Sequence, residues 1–207
     1  MIKKKGLLLV VSGPSGAGKG TVCKELIKRN PDFKLSVSAT TRAPREGEVE
    51  GESYFFLTRE KFTEMIGQGG FLEYAQIYSN FYGTPKGPVM KYLEEGSDVI
   101  LEIEMQGAKQ VKDMYPEAVL IFVLPPSLEE LKHRLISRGT ETEEQVKERL
   151  STSFEEIKRI EDYDYFVFNE NNKTTEAAMT IENIMVAEKN KARRYENAII
   201  KKFEEEL

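Results

Sequence analysis

Leu7-Leu8-Leu9-Val10-Val11-Ser12-Gly13-Pro14-Ser15-Gly16-Ala17-Gly18-Lys19-Gly20-Thr21 is the stretch on which the fold turns. Its first five residues are apolar without alternation, which reads as a strand buried on both faces in the middle of a parallel sheet. The run from Ser12 to Gly16 is a dense turn signal. From Gly18 to Arg29 the pattern becomes helical, with Val22, Leu26 and Ile27 on one side, until Asn30-Pro31 stops it. Between strand and helix, Gly13-x-x-x-x-Gly18-Lys19 has Walker A spacing. Glycines let backbone N–H groups turn inward to form an anion-binding concavity, the helix points its positive end at the same place, and a lysine adds a point charge for the β- and γ-phosphates. Gly13, Pro14, Ser15, Gly16, Ala17, Gly18, Lys19, Gly20 and Thr21 are therefore the expected binding site for a nucleotide triphosphate. A Gly-rich turn with a chance lysine is the plainer alternative, and the strand before, the helix after and Lys19 in register weigh against it. One position departs from the motif. The hydroxyl residue usual after the lysine is Gly20 here, and Thr21 comes one place later. Mg²⁺ is then expected to be held mainly by phosphates and water, with Thr21 and Glu102 as candidate ligands.

Outward from this stretch, Val99-Ile100-Leu101 leading into Glu102-Ile103-Glu104, Val119 to Leu124, and Tyr165-Phe166-Val167-Phe168 read as further buried strands. Helical patterns lie between them, so the alternation predicts an α/β fold with a parallel sheet flanked by helices. Ser127-x-x-Glu130 and Thr142-x-x-Gln145 have capping-box spacing. They open two helices, the first with Leu128, Leu131 and Leu135 inward and the second with Val146, Leu150, Phe154 and Ile157 inward. The polar joint Ser137-Arg138-Gly139-Thr140-Glu141 makes them a hairpin that could hinge. A last helix from about Thr175 buries Ile181, Ile184 and Met185 and becomes a charged, solvated helix toward Glu206. Residues 35 to about 95 differ in texture: strand-like Leu35–Ala39, Tyr54–Leu57 and Phe71–Ile77 alternate with Arg/Gly/Glu loops, as in a small α+β insertion.

The chain has 207 residues, net charge −5 and 40% hydrophobic residues, the composition of a globular domain and a poor one for non-specific nucleic-acid binding. An anionic ligand must meet a local basic pocket. The single cysteine, Cys23, reads as a small helix residue, and His133 as a surface residue. The start, Met1 to Gly6, begins like a signal peptide, but the apolar run after it is too short for one, and no segment is long enough to span a membrane. A cytoplasmic protein is expected, with no nucleic-acid or membrane partner.

Ser36-Val-Ser-Ala-Thr-Thr-Arg42-Ala-Pro-Arg45 puts two arginines three apart around a proline, a pairing that suits a dianionic monophosphate. With this segment the sequence closely resembles the guanylate kinase family over almost the whole chain. The resemblance is carried by the phosphate loop, by Ser-Val-Ser-Ala-Thr-Thr-Arg-x-Pro-Arg, and by Gly51-Glu-Ser-Tyr54-Phe-Phe. It continues in Phe71-Leu-Glu73-Tyr-Ala, Tyr82-Gly83-Thr84, Leu101-Glu-Ile-Glu104-Met-Gln-Gly107, Pro125-Pro126-Ser127 and Arg138-Gly-Thr-Glu-Thr.

That resemblance implies a core of 1–34, 96–125 and 160–207, a GMP-binding insertion over about 35–95 and a helical lid over about 126–159. It implies phosphoryl transfer from ATP to GMP, and to dGMP, with Mg²⁺. Arg42, Arg45, Tyr54 and Tyr82 would hold the GMP phosphate. Ser38, Glu73, Thr84 next to Gly83, and Glu104 would read guanine. Lys19, Arg42, Arg138 and Arg149 would neutralise the transferring group, with Arg134 a further ATP-site candidate and Asn169 near adenine. The family often has Ser at the position of Thr84 and usually Asp at that of Glu104. Glu102 shares a strand face with Glu104 and lies near the metal or braces an arginine. The rival readings are a non-enzymatic phosphopeptide-binding module of the same fold, against which the complete Gly13–Lys19 spacing argues, and a kinase with another phosphate acceptor. Monomer and homodimer both remain open.

Overall fold

The computed structural model describes residues 5–137 and 142–206. Five strands form the main sheet: β1 (Leu8–Ser12), β2 (Lys34–Leu35), β7 (Val99–Glu102), β8 (Val119–Leu124) and β9 (Tyr165–Phe168). Their order is β2-β7-β1-β8-β9 and every pairing is parallel. The apolar run that opens the chain is thus the central strand, and all its residues are buried. One face is covered by α1 (Lys19–Arg29) and α7 (Thr174–Glu188), whose Val22, Leu26, Ile181 and Met185 pack on Leu9, Val11 and Ile121. The other is covered by α3 (Lys86–Glu95) and α4 (Met105–Met114), through Val89, Leu93, Ala108 and Val111 on Leu8, Val10 and Leu120. The carboxyl ends of β1 and β7 deliver Ser12 and Glu102 to one edge of the sheet, where open α/β sheets place their ligands. Cys23 is buried on α1, and His133 lies on the surface.

A second sheet is formed by β3 (Ala39–Thr40), β4 (Phe55–Phe56), β5 (Phe71–Ile77) and β6 (Asn80–Pro85) in the order β4-β3-β6-β5. Its small core is aromatic. Phe62 of α2 (Arg59–Gly67) stacks on Phe71 and Phe81 at 4.3 and 5.3 Å between ring centres. The expected strand Leu35–Ala39 is two strands in two sheets: Leu35 pairs with Ile100 in the main sheet and Ala39 with Gly83 in the second. The segment between them crosses from one sheet to the other.

The helical hairpin consists of α5 (Leu128–Ser137) and α6 (Glu143–Ile157), joined through a cluster of Leu131, Leu135, Val146 and Leu150. Thr142 and Gln145 form the full capping box. At the other start Ser127 accepts from the Glu130 N–H at 3.1 Å, but the Glu130 carboxylate is taken by Arg134 at 2.8 Å. Leu128 and Phe154, expected inward, are exposed, because α5 and α6 bury only the narrow stripe they share. Two further readings change. β9 is an edge strand, so only Tyr165 and Val167 face the α1–α7 core, while Phe166 and Phe168 are exposed and pack edge to face on each other. The long last helix is broken: α7 ends at Glu188 and α8 (Glu196–Glu204) is separate. The Glu188 carboxylate is buried and binds the Tyr165 hydroxyl, Lys191 and Arg194, so the chain turns back to bring those cations onto it. No helix among the described residues is long and apolar enough to cross a membrane.

Candidate active site

The phosphate loop bridges β1 and α1 as the sequence pattern requires. Lys19 is the first residue of α1, and its ammonium folds back to donate to the carbonyls of Gly13 at 2.6 Å and Pro14 at 3.4 Å. It also lies 3.7 Å from the Glu104 carboxylate. Gly20 has a steric reason. A Cβ there would sit 3.1 and 3.4 Å from the two carboxylate oxygens of Glu102, so a Ser or Thr side chain would press on that carboxylate and require it to give by a few tenths of an ångström. The Glu102 carboxyl is pushed up by partial burial, pulled back by Lys19 and raised again by Glu104. Two side chains brace the loop from behind. Asn169, buried at the end of β9, donates to the Ala17 carbonyl at 2.9 Å. Arg134 donates to Ala17 O at 3.2 Å, Asn169 O at 2.9 Å and Asn171 Oδ1 at 2.8 Å. Both residues join the site, as loop supports. Arg149 of α6 lies 3.4 Å from Ser15 Oγ. Arg138 lies outside the described residues.

The acceptor candidates Arg42, Arg45, Tyr54, Tyr82, Glu73 and Thr84 lie on or beside the second sheet. Arg42 stands 5.5 Å from the ring centre of Tyr54, and Tyr54 packs edge to face on Tyr82 at 6.2 Å. Glu48 organises the arginine segment. It accepts from Arg42 Nη2 and from the Arg45 backbone N–H, each at 2.7 Å. Its carboxyl is held low by those bonds, and the same contact raises the Arg42 guanidinium. Further along this sheet, Glu73 is buried at 8% exposure, and its Oε1 accepts from the Thr84 hydroxyl at 2.6 Å. A register irregularity in β5 between Phe71 and Glu73 helps aim this carboxylate. Gly107 of α4 makes room for it, since a Cβ there would lie 2.8 Å from Glu73 Oε2. Burial pushes the Glu73 carboxyl up, and its bonds from Thr84 only partly offset that. Ser38, half-buried, accepts at its carbonyl from Phe55 N–H as the chain enters β3. Glu104 occupies the N-cap position of α4 without a side-chain capping bond, and its side chain is exposed.

A phosphate loop on one sheet thus faces an arginine–tyrosine cradle and a buried carboxylate on another. A family model described as guanylate kinase matches residues 5–188. The chain belongs to the guanylate kinase family. It is 67% identical over 207 residues to the guanylate kinase of Clostridioides difficile (strain 630), covering 100% of both chains. It is 51% identical over 206 residues to that of Caldanaerobacter subterraneus subsp. tengcongensis, covering 100% of this chain and 99% of the relative. The crystal structure of guanylate kinase from Anaplasma phagocytophilum superposes with a TM-score of 0.72 at 37% identity, over 92% of this chain and 89% of that one.

Within this guanylate kinase-family site, sequence reading missed two carboxylates. Glu48 sits in the quoted arginine segment but reads as loop charge, and only the fold reveals that it ties Arg42 to the Arg45 backbone. Glu156 reads as one acid among many on α6. It lies half-buried at a cavity of about 550 Å³ also lined by Ser15 and Arg149. Burial raises its carboxyl, Glu104 adds to the rise, and Lys19 opposes it. Its place two helical turns after Arg149 was the available signal.

Proposed function

We propose that the protein transfers the γ-phosphoryl group of ATP to GMP, and to dGMP, yielding ADP and GDP. The observation that carries the choice of acceptor is the buried Glu73 carboxylate with the Thr84 hydroxyl beside it. Guanine presents N1–H and the N2 amino group side by side, and a carboxylate has two acceptor oxygens to take both. Adenine presents an acceptor at N1 and nothing to donate at C2.

The loop backbone and Lys19 hold the donor phosphates. Lys19 exchanges its carbonyl partners for phosphate oxygens, a small rearrangement because Gly13 and Pro14 belong to the loop itself. Arg42, Arg45, Tyr54 and Tyr82 receive the GMP phosphate, with Glu48 fixing Arg42. Ser38 and Glu104 support the base end. Arg149, near Ser15, and Arg138 neutralise the phosphoryl group in transit. The attacking oxygen is already anionic near neutral pH, so no general base is needed. Mg²⁺ bound with ATP supplies further neutralisation. Glu102 is a hard oxygen donor beside Gly20 and suits it, with Thr21 a second candidate among phosphates and water.

The test is an ADP-release assay with ATP and Mg²⁺ across AMP, GMP, UMP, CMP and TMP. GMP should be preferred by a wide margin. Equal or better use of another monophosphate overturns the assignment.

A further inference from the structure

The hairpin joining β5 and β6 turns at Tyr78, which is 95% exposed. An aromatic ring so bare is unusual, because burying it is one of the larger gains available to a side chain. The backbone is unusual at the same residue. Its φ is +53°, in the left-handed region that favours glycine and that bulky residues seldom occupy. Gln76 fixes the turn by donating from Nε2 to the Tyr78 carbonyl at 3.0 Å. A strained turn therefore presents the ring outward, where packing within the second sheet gives it no reward.

Tyr78 lines the cavity of about 550 Å³ whose floor includes Ser15 of the phosphate loop. The facing wall is α6, which contributes Gln145, Arg149, Thr152 and Glu156. Their spacing of four, three and four residues puts them on one helix face. One side of the cavity thus belongs to the acceptor sheet, one to the phosphate loop and one to the helix that carries Arg149.

We propose that Tyr78 is a positioning residue for phosphoryl transfer: with both nucleotides bound, its ring seats on the Gln145–Glu156 face of α6 and closes the outer wall of the transfer chamber. This rests on the nucleotide-kinase reading above. The ring suits the task, since its face takes a guanidinium or an alkyl stem and its hydroxyl takes an amide or carboxylate. Seated there, it keeps Arg149 on the phosphate side and excludes water, which otherwise competes with GMP for the phosphoryl group.

The experiment compares wild type, Tyr78→Ala and Tyr78→Phe for GDP formation and for inorganic phosphate release in the same reactions. Tyr78→Ala is expected to lower kcat for GDP by about tenfold or more and to raise the ratio of phosphate released to GDP formed. Tyr78→Phe, which keeps the ring and loses only the hydroxyl, should recover most of both, and Tm should be unchanged because the ring packs so little of itself on the fold. Wild-type kcat and ratio in Tyr78→Ala overturn the proposal. So does a loss of activity with an unchanged ratio. A second measurement needs no turnover. The chain has no tryptophan, so Tyr78→Trp carries a sole reporter. Its emission should shift to the blue with GMP and a non-hydrolysable ATP analogue together, and less with either alone. Solvent-exposed emission with both bound overturns the proposal. If wild type uses another monophosphate in place of GMP, the acceptor assignment fails, and the same measurements with that acceptor decide Tyr78.

Discussion

The phosphate loop and the arginine–tyrosine segment, which we propose as donor and acceptor ends, are built of different materials. The donor end is backbone: a glycine loop set between the central strand of a five-stranded sheet and a buried helix, braced from behind by Asn169 and Arg134. The acceptor end is side chain: arginine, tyrosines and carboxylates on a four-stranded sheet whose core is little more than Phe62, Phe71 and Ala39 with partly buried neighbours. Each end also carries internal partners for its charge. Lys19 rests on loop carbonyls, and Arg42 rests on Glu48. The contrast teaches where specificity resides. Backbone N–H groups accept any polyphosphate, whereas the acceptors and donors of Glu73 and Thr84 are particular and buried, which is why we assign base recognition to them.

The largest effect that would break this contrast is at the donor end. Lys19→Ala should lower kcat by about 10²–10³ while circular dichroism and Tm report an intact fold. Near-normal turnover would mean that the loop backbone suffices without the lysine. Next comes the base end. Glu73→Gln exchanges one acceptor for a donor at nearly constant size. It should lower kcat/KM for GMP by about 10–100-fold and narrow the GMP/AMP ratio, leaving KM for ATP in place. An unchanged ratio would move base recognition elsewhere.

Thr84→Val should act in the same direction but more weakly, by about tenfold or less. This hydroxyl donates to Glu73, so the variant also leaves that carboxylate harder to ionise. A Thr84→Val loss equal to that of Glu73→Gln would make the hydroxyl an equal reader of the base.

The smallest effect sharpens the comparison through pH. Glu73 is raised by burial in the folded protein, so the stability it contributes is present below the ordinary carboxylate range. That contribution is lost as pH rises through the raised value, because a charge must then be held in the buried site. Glu73→Gln does not titrate. Its Tm should match wild type near pH 4 and exceed it toward pH 7, by on the order of a few degrees. In activity the sign is opposite: kcat/KM for GMP should fall in acid as Glu73 protonates, and Glu73→Gln should lack that limb. A Tm difference independent of pH would mean that Glu73 is ionised without penalty.

Legibility followed the same division. The apolar runs of β1, β7 and β8 were plain because strands buried on both faces need no alternation. β9 misled because an apolar run at a sheet edge looks the same as one at its centre. Leu128 and Phe154 misled because helical spacing gives a face but not the width that a two-helix contact will bury. Glu48 and Glu156 were visible as charges but not as members of the site, since a charge is located only by what the fold brings near it.

The sequence by itself determined the phosphate loop, the α/β sheet built around it and the family, because these rest on local spacing: strand, glycine turn and helix are neighbours along the chain. The fold alone sets Gly20 against the Glu102 carboxylate, buries Glu73 against Gly107, and brings Tyr78 and α6 to one cavity. Each of those depends on atoms far apart in sequence meeting within a few ångströms, a matter of sheet order and packing that no local pattern encodes.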